Sequence, residues 1–510
     1  MLSSVVLQIL LAAAAVRANP LFSVIAEGET AFAELVLSKG SNDVKDDFTE
    51  QWVQQRVNHF DNLDRRIFAQ RYFVNETYFK AGSDGPIFLC VGGEGPSLTS
   101  KSVKNSVHCN DAVELMPKVG GLMVSIEHRY YGKSSPTKSF ETEDLRYLSS
   151  KQALADLSAF HTHIVKRFRL SSKNKWVTWG GSYPGMLAAW ARLKYPHQFH
   201  ASIASSAPVR AEYDFQGYYN VVGQAIAEPL VGGSDECRTI ISAAHAEIGE
   251  LLESKDGQAE LIESFHLCGG ADALKEPQAQ RTFAGTGVFS FDWQGNDPAC
   301  EKELCNIEKI CGFLRDDKRK SASHREKVTQ LSLALRYPGH TIDTCQDVSP
   351  NAVTPSLMVV GVEDGSDGEQ NDRMWQFQVC TEVGFFQTCE KNTDCPFTQG
   401  LHTIKTFTDQ CQQLFNISPA EVRENVDLTN DFYGGDRIQG SRIMFPSGSI
   451  DPWMANSVLY TPSVREATLW VKGASHHAWT HPSKPTDSVY VKAAREAIWL
   501  KVTQWLEMDD

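Results

Sequence analysis

The sequence predicts an α/β fold on three observations. Short, continuously apolar runs alternate with helical periodicity between residues 85 and 205. A Gly-Gly-Ser turn at 180–182 joins one such run to a helix, and sheet-like sequence returns near residue 441 after a long stretch without it. Unbroken apolar runs suit strands buried on both faces of a parallel sheet.

Trp52–Val57 and Arg71–Val74 read as early strands. Ile87–Val91 is an apolar strand running into the glycine-rich loop Gly92–Pro96, and Gly121–Ile126 is a second buried strand, ending in the polar segment Glu127–Gly132. Ser150–Phe168 carries Leu154, Leu157, Phe160, Ile164, Val165 and Phe168 at helical spacing. The strand at Trp176 is followed by a helix from Met186 to Tyr195, stopped by Pro196, and Ala201–Ser205 is one more strand. Right-handed crossovers and a parallel sheet are the economical topology.

From 209 to 430 the alternation gives way to helical, polar, cysteine-rich sequence, including Asp235–Leu252 and Glu326–Leu335, and this stretch is expected to be an inserted helical domain. Core sequence is assigned to 51–208 and 431–510. The latter holds strands at Ser441–Pro446 and Ala467–Val471 and a final amphipathic helix through Val491, Ala494, Ala497, Ile498, Val502 and Trp505.

Residues 1–18 have an apolar stretch from Val5 to Val16 with a small-residue end, read as a cleaved signal peptide although no Lys or Arg precedes the stretch. Residues 19–50 are a polar segment and a candidate propeptide. The chain has 510 residues and a formal net charge of −14, which argues against a nucleic-acid surface. Its twelve cysteines, eight of them between 268 and 395, are expected to pair as disulfides in the secretory pathway. No pair of C-x-x-C motifs and no H-E-x-x-H motif supports a metal, and no cofactor is expected. Sequons mark Asn75 and Asn416 as glycosylation candidates.

The run Trp179-Gly180-Gly181-Ser182-Tyr183-Pro184-Gly185 has the form of a nucleophile elbow: strand, strained turn, exposed serine, helix. Pro184 departs from G-x-S-x-G, yet proline is tolerated in the first helical turn. Taken alone, the segment could be a plain Gly-Ser connection. A nucleophilic serine needs a base and an acid, in the chain order serine, acid, histidine on this kind of core. Asp451 follows one late strand and the pair His476-His477 follows the next. Asp451 before Pro452 also fits a turn, and either histidine also fits a structural role. The amides of Tyr183 and of Gly93–Glu94 are candidates for an oxyanion hole. Glu94 reads either as a solvated carboxylate or as a group recognising a charged substrate terminus, and Glu127–Gly132 as hydrogen-bonded scaffold.

The motifs GGEGP, EHRYYGKS, YLSSKQALADL, WGGSYPGMLAAWARLKYP, WQFQVCTE and SGSIDPW, with the late His-His pair, resemble the family of lysosomal prolyl carboxypeptidase, post-proline dipeptidyl peptidase and thymus-specific serine protease. The resemblance covers most of residues 50–500 and is nearest to the thymus-specific branch. It implies an α/β-hydrolase core with an inserted, mainly helical, disulfide-bearing cap, and it places the triad on Ser182, Asp451 and His476. It also suggests Trp375, Gln378 and Thr381 as pocket residues. The implied activity is that of a serine exopeptidase, secreted or lysosomal, acting near a peptide terminus with post-proline preference through an acyl-enzyme on Ser182. Peptides are the implied partners, a homodimer is allowed for, and stable membrane insertion after signal cleavage is not expected. Ala478-Trp479 stand where other members carry a Leu-Asp-like pair, which leaves the substrate range open. A carboxylesterase or lipase on the same core, or an inactive peptide-binding homologue, remain as alternatives.

Overall fold

In the computed structural model, alternate residues of the central strands point into two different apolar clusters, so the sheet is covered on both faces. The structure describes residues 48–508 apart from 96, 338–343, 350–359, 361–368 and 461–464. The signal peptide and most of the polar segment expected at 19–50 lie outside the described residues. Eight strands form the sheet: β1 Gln51–Arg56, β2 Ile67–Asn75, β3 Ile87–Val91, β4 Leu122–Ile126, β5 Trp176–Gly181, β6 Ala201–Ser205, β7 Ile443–Gly448 and β8 Ala467–Val471. Their order is β1-β2-β4-β3-β5-β6-β7-β8.

From β4 through β8 neighbours run parallel, as expected, but β1 pairs antiparallel with β2, and β2 antiparallel with β4. The connection between β1 and β2 is too short for a crossover helix, so a hairpin is the available link. Ile87, Leu89 and Val91 face a cluster containing the helices Ser150–Phe168 and Tyr183–Lys194. Phe88 and Cys90 face the other cluster, with the helices Asn110–Val119 and Val489–Glu507. The link from β3 to β4 thus crosses one face and the link from β4 to β5 the other. This makes β3/β5 the point where strand order reverses, the position at which open α/β sheets form a crevice beyond the carboxyl ends of their strands. The Gly92–Glu94 loop leaves β3 there, and Ser182 leaves β5.

Serines set the helix boundaries: Ser149 accepts the Gln152 N–H ahead of Ser150–Phe168, and Ser488 accepts that of Val491 ahead of Val489–Glu507. Between β6 and β7 the described chain is helix and loop, from Gly217–Ala227 to Pro419–Tyr433, and adds nothing to the sheet. Its interior belongs to the same apolar cluster as one face of the sheet, joining Ile240, Ile248 and Leu331 to Leu154 and Leu187. Five disulfides staple this insertion: Cys237–Cys311, Cys268–Cys345, Cys300–Cys305, Cys380–Cys411 and Cys389–Cys395. The sixth, Cys90–Cys109, ties β3 to the loop before Asn110. These pairings account for all twelve cysteines, and the architecture is an α/β-hydrolase core bearing a helical cap.

Among the described residues no helix is long and apolar enough to cross a membrane.

Candidate active site

Ser182 has φ 65° and ψ −133°, a conformation costly for any residue with a side chain. The surroundings hold it there: its N–H donates to the Ser205 carbonyl at 2.9 Å, and its own carbonyl accepts from Met186 N–H at 3.0 Å. A side chain at Gly180 would collide with the Pro184 carbonyl, and a Cβ at Gly185 would lie 3.0 Å from the Gly180 and Ser205 carbonyl oxygens. Gly180 and Gly185 therefore supply the close approach that an elbow needs. Pro184 sits in the first helical turn, and its ring packs where a Cβ on Gly93 would be, seating the loop after β3 against the elbow.

Asp451 is fully buried and caps the short turn Pro452–Asn456, its Oδ1 accepting from Trp453 N–H at 3.0 Å. The same oxygen lies 2.9 Å from His476 Nδ1. Nδ1 donates in that bond, so Nε2 keeps the lone pair a general base uses. The turns carrying Asp451 and His476 close on each other because Gly448 has no side chain to strike the Ala474 carbonyl. Among the described residues no hydrogen bond joins Ser182 Oγ to His476.

His477 is placed differently. Its N–H donates to Ser206 Oγ at 2.8 Å, its Nδ1 lies 3.1 Å from Thr480 Oγ1, and its ring packs 3.0 Å from the Cβ position of Gly181. Burial first, then His476, His108 and His481, hold its pKa well below the usual histidine range. The imidazole paired with Asp451 is the first of the two, His476.

Two cap contacts that the sequence did not point to reach this centre. The Gln294 carbonyl accepts the His476 N–H at 2.9 Å, and Gln294 Oε1 accepts from Trp453 Nε1 at 2.8 Å. Gln378, only 1% exposed, bonds Tyr131 and Tyr183. Trp375, one helical turn earlier, packs its ring 5.5 Å from that of Tyr183. The structure thus brings Trp375 and Gln378 to the residue after Ser182, but Gln378 is enclosed and bonded rather than lining an open pocket. Thr381 does not join them. A π-helical turn at Val379–Val383 follows the helix Glu369–Gln378; Thr381 Oγ1 donates to the Phe377 carbonyl, and the residue lines a separate surface cavity with Ser149, Glu382 and Tyr433.

Tyr183 opens its helix, so its amide has no intrahelical acceptor. Glu94 is partly buried. Burial pushes its carboxyl up to about 7, against the opposing pull of its own amide and of His476. The segment after β4 is scaffold, as expected. Glu127 accepts from Arg71, Ser134 and the amides of Leu98 and Lys133, and Arg129 grips both oxygens of Asp156. Asn416 is exposed at a helix end, whereas Asn75 is 2% exposed with Nδ2 donating to the Val103 carbonyl, so the folded chain offers no room for a glycan there.

The family model described as serine carboxypeptidase S28 matches residues 55–498. Thymus-specific serine protease of Homo sapiens is 37% identical over 465 residues, covering 90% of this chain and 86% of that protein. The Mus musculus protein of the same name is 36% identical over 462 residues, covering 89% and 87%. Lysosomal Pro-X carboxypeptidase of Bos taurus is 26% identical over 479 residues, covering 90% and 88%.

Proposed function

The chain belongs to the serine carboxypeptidase S28 family and is a serine-type peptidase, and from that premise we propose that it is an exopeptidase whose nucleophile is Ser182. The 2.9 Å contact between Asp451 and His476, on turns after β7 and β8, carries this reading, together with the strained backbone of Ser182. Ser182 Oγ attacks the peptide carbonyl while His476 Nε2 takes its proton, and Asp451 steadies the imidazolium. The amides of Tyr183 and of Gly93–Glu94 receive the oxyanion. Collapse expels the amine with the proton held on His476, leaving an acyl-enzyme, and water attacks the ester through the same base.

The substrate is a peptide cleaved after proline near one terminus, in keeping with the name of the Pro-X carboxypeptidase relative. The protein works in the secretory pathway, secreted or lysosomal, with Asn416 as its glycan acceptor. Profiling the products of a peptide library at several pH values tests the proposal. Single cuts after proline close to one end are expected, and hydrolysis of acyl esters with no cleavage of any peptide would contradict it.

A further inference from the structure

Four side chains, Gln378 among them, form a hydrogen-bond relay whose direction is fixed by chemistry. His128 Nδ1 lies 2.8 Å from the Arg129 carbonyl oxygen, which can only accept, so Nδ1 carries the proton. Burial lowers the pKa of this ring to about 4, so it is neutral and Nε2 is an acceptor. The Tyr183 hydroxyl, 3.2 Å from Nε2, therefore donates to it. The Tyr183 oxygen in turn accepts from Gln378 Nε2 at 2.7 Å, and Gln378 Oε1 accepts from the Tyr131 hydroxyl at 2.6 Å. All four side chains are buried. An amide is the group that fits between these phenols, because it accepts on one side while donating on the other.

The relay ends on a backbone that needs restraint. Tyr183 precedes Pro184, and the proline ring disfavours helical angles at the residue before it, yet Tyr183 is the first residue of the helix Tyr183–Lys194. On one side the Pro184 ring is wedged against Gly93. On the other, the phenol is tethered by Gln378 and flanked by Trp375. We propose that Gln378 is a positioning residue: acting through the Tyr183 phenol, it holds the Tyr183 amide in the orientation the oxyanion requires, so that docking of the cap completes the elbow. This rests on the reading of Tyr183 as an oxyanion donor. It assigns Gln378 to transition-state stabilisation instead of substrate binding.

The two roles separate in kinetics, since an interaction made only in the transition state changes kcat and a pocket contact changes KM. The test uses the full chain carrying Gln378→Leu or Tyr183→Phe, assayed on a peptide that the unaltered protein cleaves, with rates divided by the active sites titrated with a fluorophosphonate. Each variant is expected to lose about 10- to 100-fold in kcat, part of the roughly 100- to 1000-fold attached to a whole oxyanion donor, with KM unchanged. The double variant should lose no more than the worse single one, because both break one relay. Pro184→Ala added to Gln378→Leu removes the pre-proline restriction and should recover part of the lost kcat.

Tyr183→Phe removes one hydroxyl and keeps the test open where Gln378→Leu fails to fold. Unchanged kcat per titrated site, or a rise in KM alone, would overturn the proposal. An unaltered chain that neither labels nor turns over would overturn the reading of the elbow itself, and this inference with it.

Discussion

Gln294 and His476 are tied across the boundary between cap and core: the backbone carbonyl of one accepts the backbone N–H of the other at 2.9 Å. The Gln294 side chain also accepts from the Trp453 indole, and the Trp453 N–H donates to Asp451. One cap residue thus braces the turns that carry both His476 and Asp451.

Gln294→Leu is expected to leave the Trp453 indole without its partner, costing about 1–3 kcal/mol if the indole stays dry. It should also lower kcat several-fold through a looser Asp451 turn. Gln294→Glu keeps an acceptor at the same place and should retain most activity. Thermal melts and steady-state kinetics on the pair check this, and equal losses in both variants would count against the bracing role.

Asp451→Asn keeps the shape of the buried side chain but no longer fixes the proton on His476 Nδ1. The expected outcome is a loss of roughly 10⁴ in kcat with the fold intact, the scale seen when a triad acid is replaced by its amide. A loss below tenfold would show that another group orients the imidazole. His477→Gln provides the contrast, since His477 bonds Thr480 and Ser206 rather than the acid, and it should be far less damaging.

Stability should fall as the solution is acidified from pH 7 to 5. Burial lowers the pKa of His128 to about 4 and of His245 to about 3, and holds that of His477 well below the usual range. Below about pH 6.5 the unfolded chain protonates these three rings while the folded chain leaves them neutral, so acid favours unfolding. Asp111 works in the opposite sense. Burial raises its carboxyl to about 7, so the folded chain holds a proton there that the unfolded chain lacks above about pH 4. Partly buried Glu94 adds to that side. Burial raises the pKa of Glu382 as well, but it also lowers those of His108 and His402 to about 4, so five histidines stand against three carboxyls, and the denaturant midpoint is expected to drop between pH 7 and 5. A midpoint that rises would contradict this assignment of buried neutral rings.

What the sequence made legible was what neighbouring residues enforce. Gly180, Ser182 and Gly185 announce the elbow because the close backbone approach between Gly180 and Gly185 lies within six residues, and Asp451 and His476 follow because strand ends precede them in the required order. The strands β1 and β2 were legible as strands, but their antiparallel pairing depends on partners that composition does not name. Gln294 carried no signal at all: it stands in a polar cap loop, and its contacts to Trp453 and His476 exist only after folding. Thr381 was grouped with Trp375 and Gln378 by motif, whereas the π-helical turn after Gln378 carries it to another surface. Asn75 shows the same limit in reverse, since its sequon is local while its burial beneath the Val103 carbonyl is not.

If Ser182 is the nucleophile served by His476 and Asp451, mass-spectrometric mapping of a fluorophosphonate adduct will find it. A single adduct on Ser182, abolished by Ser182→Ala and slowed in Asp451→Asn, is the predicted result. An adduct on a different serine, or peptide hydrolysis that persists in Ser182→Ala, would contradict it.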